Sequence, residues 1–276
     1  MRSVAAASDA IRLVHPAPTL AVTALSAALG AILLVQAGPF DGDRWLLTVA
    51  AVLGSQVFTG ATNDLVDRGR DQAAGRVDKP LAGGDLSAEA ALWIASIGLA
   101  VQLAASLQLG TSALLLGAGA TLSALSYNLW LSRTPLSVVP YLVSFGLLPL
   151  WVAAGVGVPL DRVLPAVPLV APFAAAAHLA NVARDFGSDA AGGSRSLAQI
   201  LGERRSVWLA WTLAMAVGVG VGVAMTLAGR VSVPTAALGL AGLAAVAQGA
   251  GSAARLWYGI LLAAVAWTAA WALGSG

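Results

Sequence analysis

Asn63-Asp64-Leu65-Val66-Asp67-Arg68-Gly69-Arg70-Asp71 follows an apolar run, and a looser copy returns later as Asn181-Val182-Ala183-Arg184-Asp185-Phe186-Gly187-Ser188-Asp189. Both read Asn-x3-Asp-x3-Asp. Positions 63 and 181, 67 and 185, and 71 and 189 share one offset, which Gly75 and Gly193 keep. A step of four residues drifts by only about 40° around a helix of 3.6 residues per turn. Each copy is therefore expected to project a stripe of oxygen ligands from a helix end, and two facing stripes would make a concentrated acidic site.

Around these stretches the chain is 58% hydrophobic and 10% charged, with a mean hydropathy of +0.82. A soluble domain carries about 25% charged residues, so the composition indicates an integral membrane protein. Cysteine is absent, which excludes disulfides, thiolate metal sites and a cysteine nucleophile. A net charge of +2 is too small to suggest a nucleic-acid partner.

Apolar runs of spanning length lie at Pro18–Ala37, Trp45–Thr62, Ser87–Leu107, Thr111–Leu131, Leu136–Ala154, Val163–Ala180, Val207–Leu227, Ser232–Gln248 and Leu256–Leu273. The expected fold is therefore an all-α integral membrane protein of about nine transmembrane helices, forming one domain over residues 1–276. Residues 1–16 read as a short amphipathic helix on the membrane surface, ended near His15-Pro16. With the N-terminus in the cytoplasm, most of the Lys and Arg residues fall on that side. Arg44, Arg162 and Arg230 are the exceptions, which is the positive-inside pattern. The two long connections, roughly 63–86 and 181–206, are then both cytoplasmic, and each begins with one motif copy. Four spans separate the copies, which makes a parallel repeat. Two similar halves around a central cavity open to the cytoplasmic side are the expected arrangement.

Carboxylates and amide carbonyls are hard oxygen ligands suited to Mg²⁺, which is typically bound by one or two carboxylates together with substrate phosphates. Asn63, Asp64, Asp67 and Asp71 in the first copy, and Asn181, Asp185 and Asp189 in the second, are the candidate metal ligands. Cations are interleaved with them. Arg76 and Lys79 in the first loop and Arg195 in the second are candidate phosphate ligands, with Arg133 after an apolar span. Acids and bases together suit a metal–diphosphate complex better than a bare cation. A diphosphate clamp at the mouth of a lipid-buried cavity implies an isoprenoid diphosphate, whose C–O bond would break to an allylic cation. His178, three residues before Asn181, is read as a packed histidine with a local hydrogen bond. A transporter would place charge near mid-membrane, whereas here the acids lie at span ends.

The run Asn63-Asp64-x-x-Asp67-x-x-x-Asp71, followed by Arg76-Val77-Asp78-Lys79-Pro80-Leu81, resembles the first signature of the UbiA superfamily of intramembrane prenyltransferases. Asp185-x-x-x-Asp189 with Gly192-Gly193-Ser194-Arg195-Ser196-Leu197 resembles the second, and Tyr127-Asn128-Leu129-Trp130-Leu131-Ser132-Arg133 resembles the segment after the fourth helix. The resemblance implies Mg²⁺-dependent prenyl transfer, commonly to an aromatic acceptor. Asp67, Asp71, Asp185, Asp189 and Tyr127 would be at the catalytic centre, and Arg76, Lys79, Arg133, Arg195 and Asn128 around the diphosphate. A terpene cyclase on the same fold, which needs no acceptor, is the alternative.

Overall fold

The computed structural model describes residues 2–274, with the side chains of 2–7, 188 and 191 outside the described set. Arg2, one of the expected cytoplasmic charges, is thus described in its backbone alone. Among the described residues the chain is helical, with no strand. The helices are α1 (Arg2–Leu13), α2 (Pro16–Ala37), α3 (Gly42–Ala73), α4 (Pro80–Gly83), α5 (Ala88–Leu109), α6 (Thr111–Leu129), α7 (Val139–Val156), α8 (Val167–Arg184), α9 (Phe186–Ala191), α10 (Leu197–Leu201), α11 (Glu203–Leu227), α12 (Val233–Ala247) and α13 (Ala253–Leu273). Polar side chains close several of the N-termini: Asp41 accepts from Arg44 N–H, Ser87 from Ala90 N–H, and Ser232 forms a capping box with Thr235.

Among the described residues, seven helical stretches are long and apolar enough to cross a membrane: Pro16–Ala37, Gly42–Ala73, Ala88–Leu109, Val139–Val156, Leu160–Arg184, Glu203–Leu227 and Ala253–Leu273. The other two expected spans fall on α12, which has 15 residues, and on α6, whose composition is diluted by Thr121, Ser123, Ser126 and Asn128. The distribution of side-chain sizes is that of a protein solvated by lipid. Leu92, Ile97, Leu107, Leu115, Leu122, Val219, Val223, Leu262 and Val265 are exposed, whereas about half of the buried positions of the same helices are Ala or Gly. Lipid tails are as apolar as leucine, so helix association there depends on close backbone approach between small residues.

The chain divides into two compact units, one of Met1–Leu34, Pro39–Trp130 and Leu147–Leu160, the other of Val35–Gly38, Leu131–Gly146 and Asp161–Gly276. In the first, α3 lies on α5 with backbones in contact. A Cβ at Gly54 would stand 2.5 Å from the Gly98 carbonyl oxygen, and one at Gly98 2.8 Å from that of Gly54. Trp151, 2% exposed, fills the space above Gly117. In the second, α12 and α13 pack as a pair and α8 lies on α11. Trp267 is accommodated by Gly218 and Gly242 and donates to the Gly239 carbonyl at 3.2 Å. Each unit carries one copy of the Asn-x3-Asp-x3-Asp motif.

The short helix expected over residues 1–16 is α1. Leu13 is fully buried among Phe58, Ala61, Leu81, Ala91 and Ala95, and the chain turns into α2 at Pro16. His15 makes that turn in the left-handed region, at φ 51°. Gly60 makes room for it: any Cβ there would lie 2.8 Å from the Val14 carbonyl oxygen.

Candidate metal and diphosphate site

The first motif is helix rather than loop. α3 continues through it to Ala73, well past the expected end of the span at Thr62. Two facts explain the extension. No proline interrupts the stretch, and Asp67 and Arg70 form an i,i+3 ion pair on the emerging turns. The helix ends where Gly75 adopts φ 68°. There Gly75 N–H donates to Gln72 O at 3.1 Å and Arg76 N–H to Asp71 O at 2.9 Å, a glycine-centred cap.

Asp64 is 2% exposed and is met by two donors on a single oxygen. Lys79 Nζ lies 2.8 Å from Asp64 Oδ1, and His15 Nε2 lies 3.0 Å from the same atom. The same ammonium is 3.1 Å from Asp71 Oδ2. Residues 64 and 71 are seven apart, two turns, so they share a helix face. Lys79 reaches them because the 76–79 turn is closed by Lys79 N–H donating to Arg76 O, and Pro80 then begins α4. Arg76 forks onto Asp78 at 3.0 and 2.9 Å, which holds the Asp78 carboxyl below the usual carboxylate range. Asn63 donates to Asn128 Oδ1 at 3.3 Å. The buried Asn128 in turn gives its N–H groups to Thr59 O at 2.9 Å and Thr62 Oγ1 at 3.0 Å. Asn128 therefore ties α6 to α3 beside Asn63. Tyr127 sits next to it on α6, half-buried.

The second motif bends where the first runs straight. α8 ends at Arg184, Asp185 is its C-cap, and Asp189 lies on the short α9. The four-residue step nevertheless survives in the backbone. Asp185 N–H donates to Asn181 O at 3.3 Å and Asp189 N–H to Asp185 O at 3.1 Å. The stretch then closes with the first copy's cap, residue for residue: Gly193 has φ 70°, its N–H donates to Ala190 O, and Ser194 N–H donates to Asp189 O. Arg184 donates to Asn181 Oδ1 at 3.0 Å, pairs with Asp185 at 3.6 Å and stands 5.5 Å over the Trp257 ring. Burial, and then the neighbouring Asp185 charge, push the Asp189 carboxyl above its ordinary value.

Arg133 and Arg195 come together through the main chain, Arg195 N–H donating to Arg133 O at 3.1 Å. Leu197 N–H donates to Ser137 Oγ at 3.3 Å, and His178 Nε2 lies 3.3 Å from that hydroxyl while its ring stacks on Tyr141. His178 is thus packed, as expected, but its hydrogen-bond partner lies 41 residues away rather than locally. Two residues escaped the sequence reading. His15 showed there only as a helix-ending position, and Ser137 not at all; the Pro16 after His15 marked the turn but not its partner 49 residues on.

The donor set suits a hard divalent ion. One ammonium already touches two carboxylates of the first motif, so a cation fits between them. The Nε and Nη2 atoms of Arg133 are buried without a hydrogen-bond partner among the described residues, a fit for an anion. Among the described residues no three His, Asp or Glu side chains converge closely enough to hold an ion in this conformation. Asp64 and Asp71 meet at one ammonium, and the charge of Asp185 acts on Asp189.

The family model for UbiA prenyltransferases matches residues 24–275. No match is found among curated proteins. Among solved structures, a UbiA homolog from Aeropyrum pernix K1 is 22% identical with a TM-score of 0.74, over 91% of this chain and 96% of that one. A UbiA homolog from Archaeoglobus fulgidus bound to GPP and Mg²⁺ is 16% identical with a TM-score of 0.74, over 97% and 100%. A digeranylgeranylglyceryl phosphate synthase is likewise 16% identical with a TM-score of 0.74, over 97% and 99%. At these identities the likeness is one of fold.

Proposed function

The chain belongs to the UbiA prenyltransferase family, and from that premise we propose that it is a Mg²⁺-dependent intramembrane enzyme that ionises an isoprenoid diphosphate and transfers the prenyl group to an aromatic acceptor. The observation carrying this reading is the repeated Asn-x3-Asp-x3-Asp stripe with its common glycine cap at Gly75 and Gly193. The GPP and Mg²⁺ bound to the Archaeoglobus fulgidus homolog support the choice of ligand. We place the protein in the cell membrane with nine crossings, α6 and α12 included, and with its N-terminus and both motifs on the cytoplasmic side. The cavity for the prenyl chain opens to that side.

In this reading Asn63, Asp64, Asp67, Asp71, Asn181, Asp185 and Asp189 hold the metal. Bound Mg²⁺ supplies charge neutralisation for the departing diphosphate. Arg133, with two buried nitrogens that have no hydrogen-bond partner among the described residues, takes phosphate oxygens, and Arg195, Arg76 and Lys79 add to it. Asn128 keeps Asn63 oriented beside α6. Tyr127 stabilises the allylic cation with its ring. The C–O bond breaks with both electrons going to the diphosphate. An electron-rich ring carbon of the acceptor then bonds to the prenyl carbon, and the ring loses a proton.

The test is incubation of the purified protein with C10 to C20 prenyl diphosphates and Mg²⁺, with and without phenols and quinone precursors. Prenylated acceptor and released diphosphate are expected. Cyclic hydrocarbons or alcohols formed without acceptor would point instead to a terpene cyclase, and no diphosphate release in any mixture would end both readings.

A further inference from the structure

The ammonium of Lys79 stands where two acidic side chains of the first motif meet. It is 2.8 Å from Asp64 Oδ1 and 3.1 Å from Asp71 Oδ2, with the lysine side chain only 17% exposed. Buried carboxylates without a counter-charge are costly, and this lysine supplies the charge in the metal-free protein. From this geometry we infer that Lys79 is a resident counter-ion, holding the Asp64–Asp71 pair until a diphosphate draws it away, so that metal binding at the first motif depends on diphosphate. This rests on the prenyl-diphosphate reading above.

The physical reason is competition. An ammonium and a divalent cation attracted to the same carboxylates repel each other, and the repulsion is strong at a few ångströms in a partly buried site. Bare Mg²⁺ must therefore expel an ammonium that then has to find new anionic partners. A diphosphate supplies those partners. Lys79 also borders a cavity of about 330 Å³, walled in addition by Arg12, His15, Asp64, Arg76 and Asp78, so its side chain has room to move. His15 also lies 3.0 Å from Asp64 Oδ1, a second partner for that carboxylate once the lysine is drawn away. Metal and diphosphate are then thermodynamically coupled, each tightening the other by the same factor. A site that fills only when both are present does not sequester Mg²⁺ between turnovers.

The experiment is calorimetric titration of the full chain in detergent with Mg²⁺ alone, and again with inorganic pyrophosphate present. Wild type is expected to bind Mg²⁺ weakly alone and on the order of tenfold or more tightly with pyrophosphate. In Lys79→Met, Mg²⁺ alone should bind on the order of tenfold more tightly than in wild type, and the gain from pyrophosphate should shrink. Lys79→Gln retains a donor to Asp64 and should shift the same way, while Lys79→Arg, which keeps the charge, should behave as wild type. Unchanged or weaker Mg²⁺ binding in both neutral variants, with pyrophosphate still bound, would overturn the counter-ion role and leave the functional reading standing. A wild type that takes up neither Mg²⁺ nor pyrophosphate would sink both.

Discussion

The two motif-bearing segments share spacing and cap but differ in what surrounds them. The first is an unbroken continuation of α3, roofed by α1 and α4, with its carboxylates held by Lys79, His15 and Arg70. The second breaks at Asp185, whose side chain is 51% exposed and lies 3.6 Å from the preceding Arg184 in a loose ion pair. The first copy is charge-compensated from distant parts of the chain, whereas in the second Asp185 pairs with its immediate neighbour Arg184. The same spacing of acids supports a tightly engaged site in one unit and a more open one in the other.

The largest expected effect tests whether this asymmetry matters for chemistry. Asp67→Ala and Asp185→Ala should each lower turnover of a prenyl diphosphate by on the order of a thousandfold or more, with expression close to wild type. Full activity in either variant would remove that copy from the metal site. Stability should separate the copies. Asp64→Ala leaves Lys79 and His15 facing a lost partner and should cost about 3 kcal/mol in denaturant unfolding. Asp185→Ala, at an exposed pair, should stay within about 0.5 kcal/mol. Equal costs would mean that the first copy is no better anchored than the second.

The caps should behave alike. Gly75→Val and Gly193→Val each force a branched side chain into the left-handed region. Each should lower stability by about 1–2 kcal/mol; a cost at one position only would show that the repeat is not mechanically equivalent.

The smallest effect concerns pH. Asp189 has a carboxyl raised by burial and by Asp185. Its ionised form therefore weakens the fold above that raised value, and the penalty is relieved as pH falls through it. Metal-free Asp189→Asn should then melt slightly above wild type at pH 7, with the gap closing as the pH is lowered towards the ordinary carboxylate range. Added Mg²⁺ should reverse the order. A gap that widens on acidification would contradict the burial of Asp189.

Much of this was legible beforehand. The N-terminal helix, most of the apolar helices, both motifs and the offset shared by Gly75 and Gly193 are visible in the residues. The extension of α3 through the first motif was not, because a run of Asp, Arg and Gly reads as a connection. It stays helical through the Asp67–Arg70 pair and the packing of α1 and α4. The counts of spans differ at α6 and α12, where hydropathy alone is ambiguous. His15 was passed over because nothing local to it points to Asp64.

Hydropathy and periodicity are properties of neighbouring residues, so the chain alone determined a lipid-embedded helical protein with two acidic ladders of equal step. Which cation sits on which carboxylate was decided only by the tertiary structure. The Lys79 ammonium spans Asp64 and Asp71, and His15 shares its oxygen. Charge pairing depends on which buried groups the fold places within a few ångströms of each other, and sequence spacing does not encode that distance.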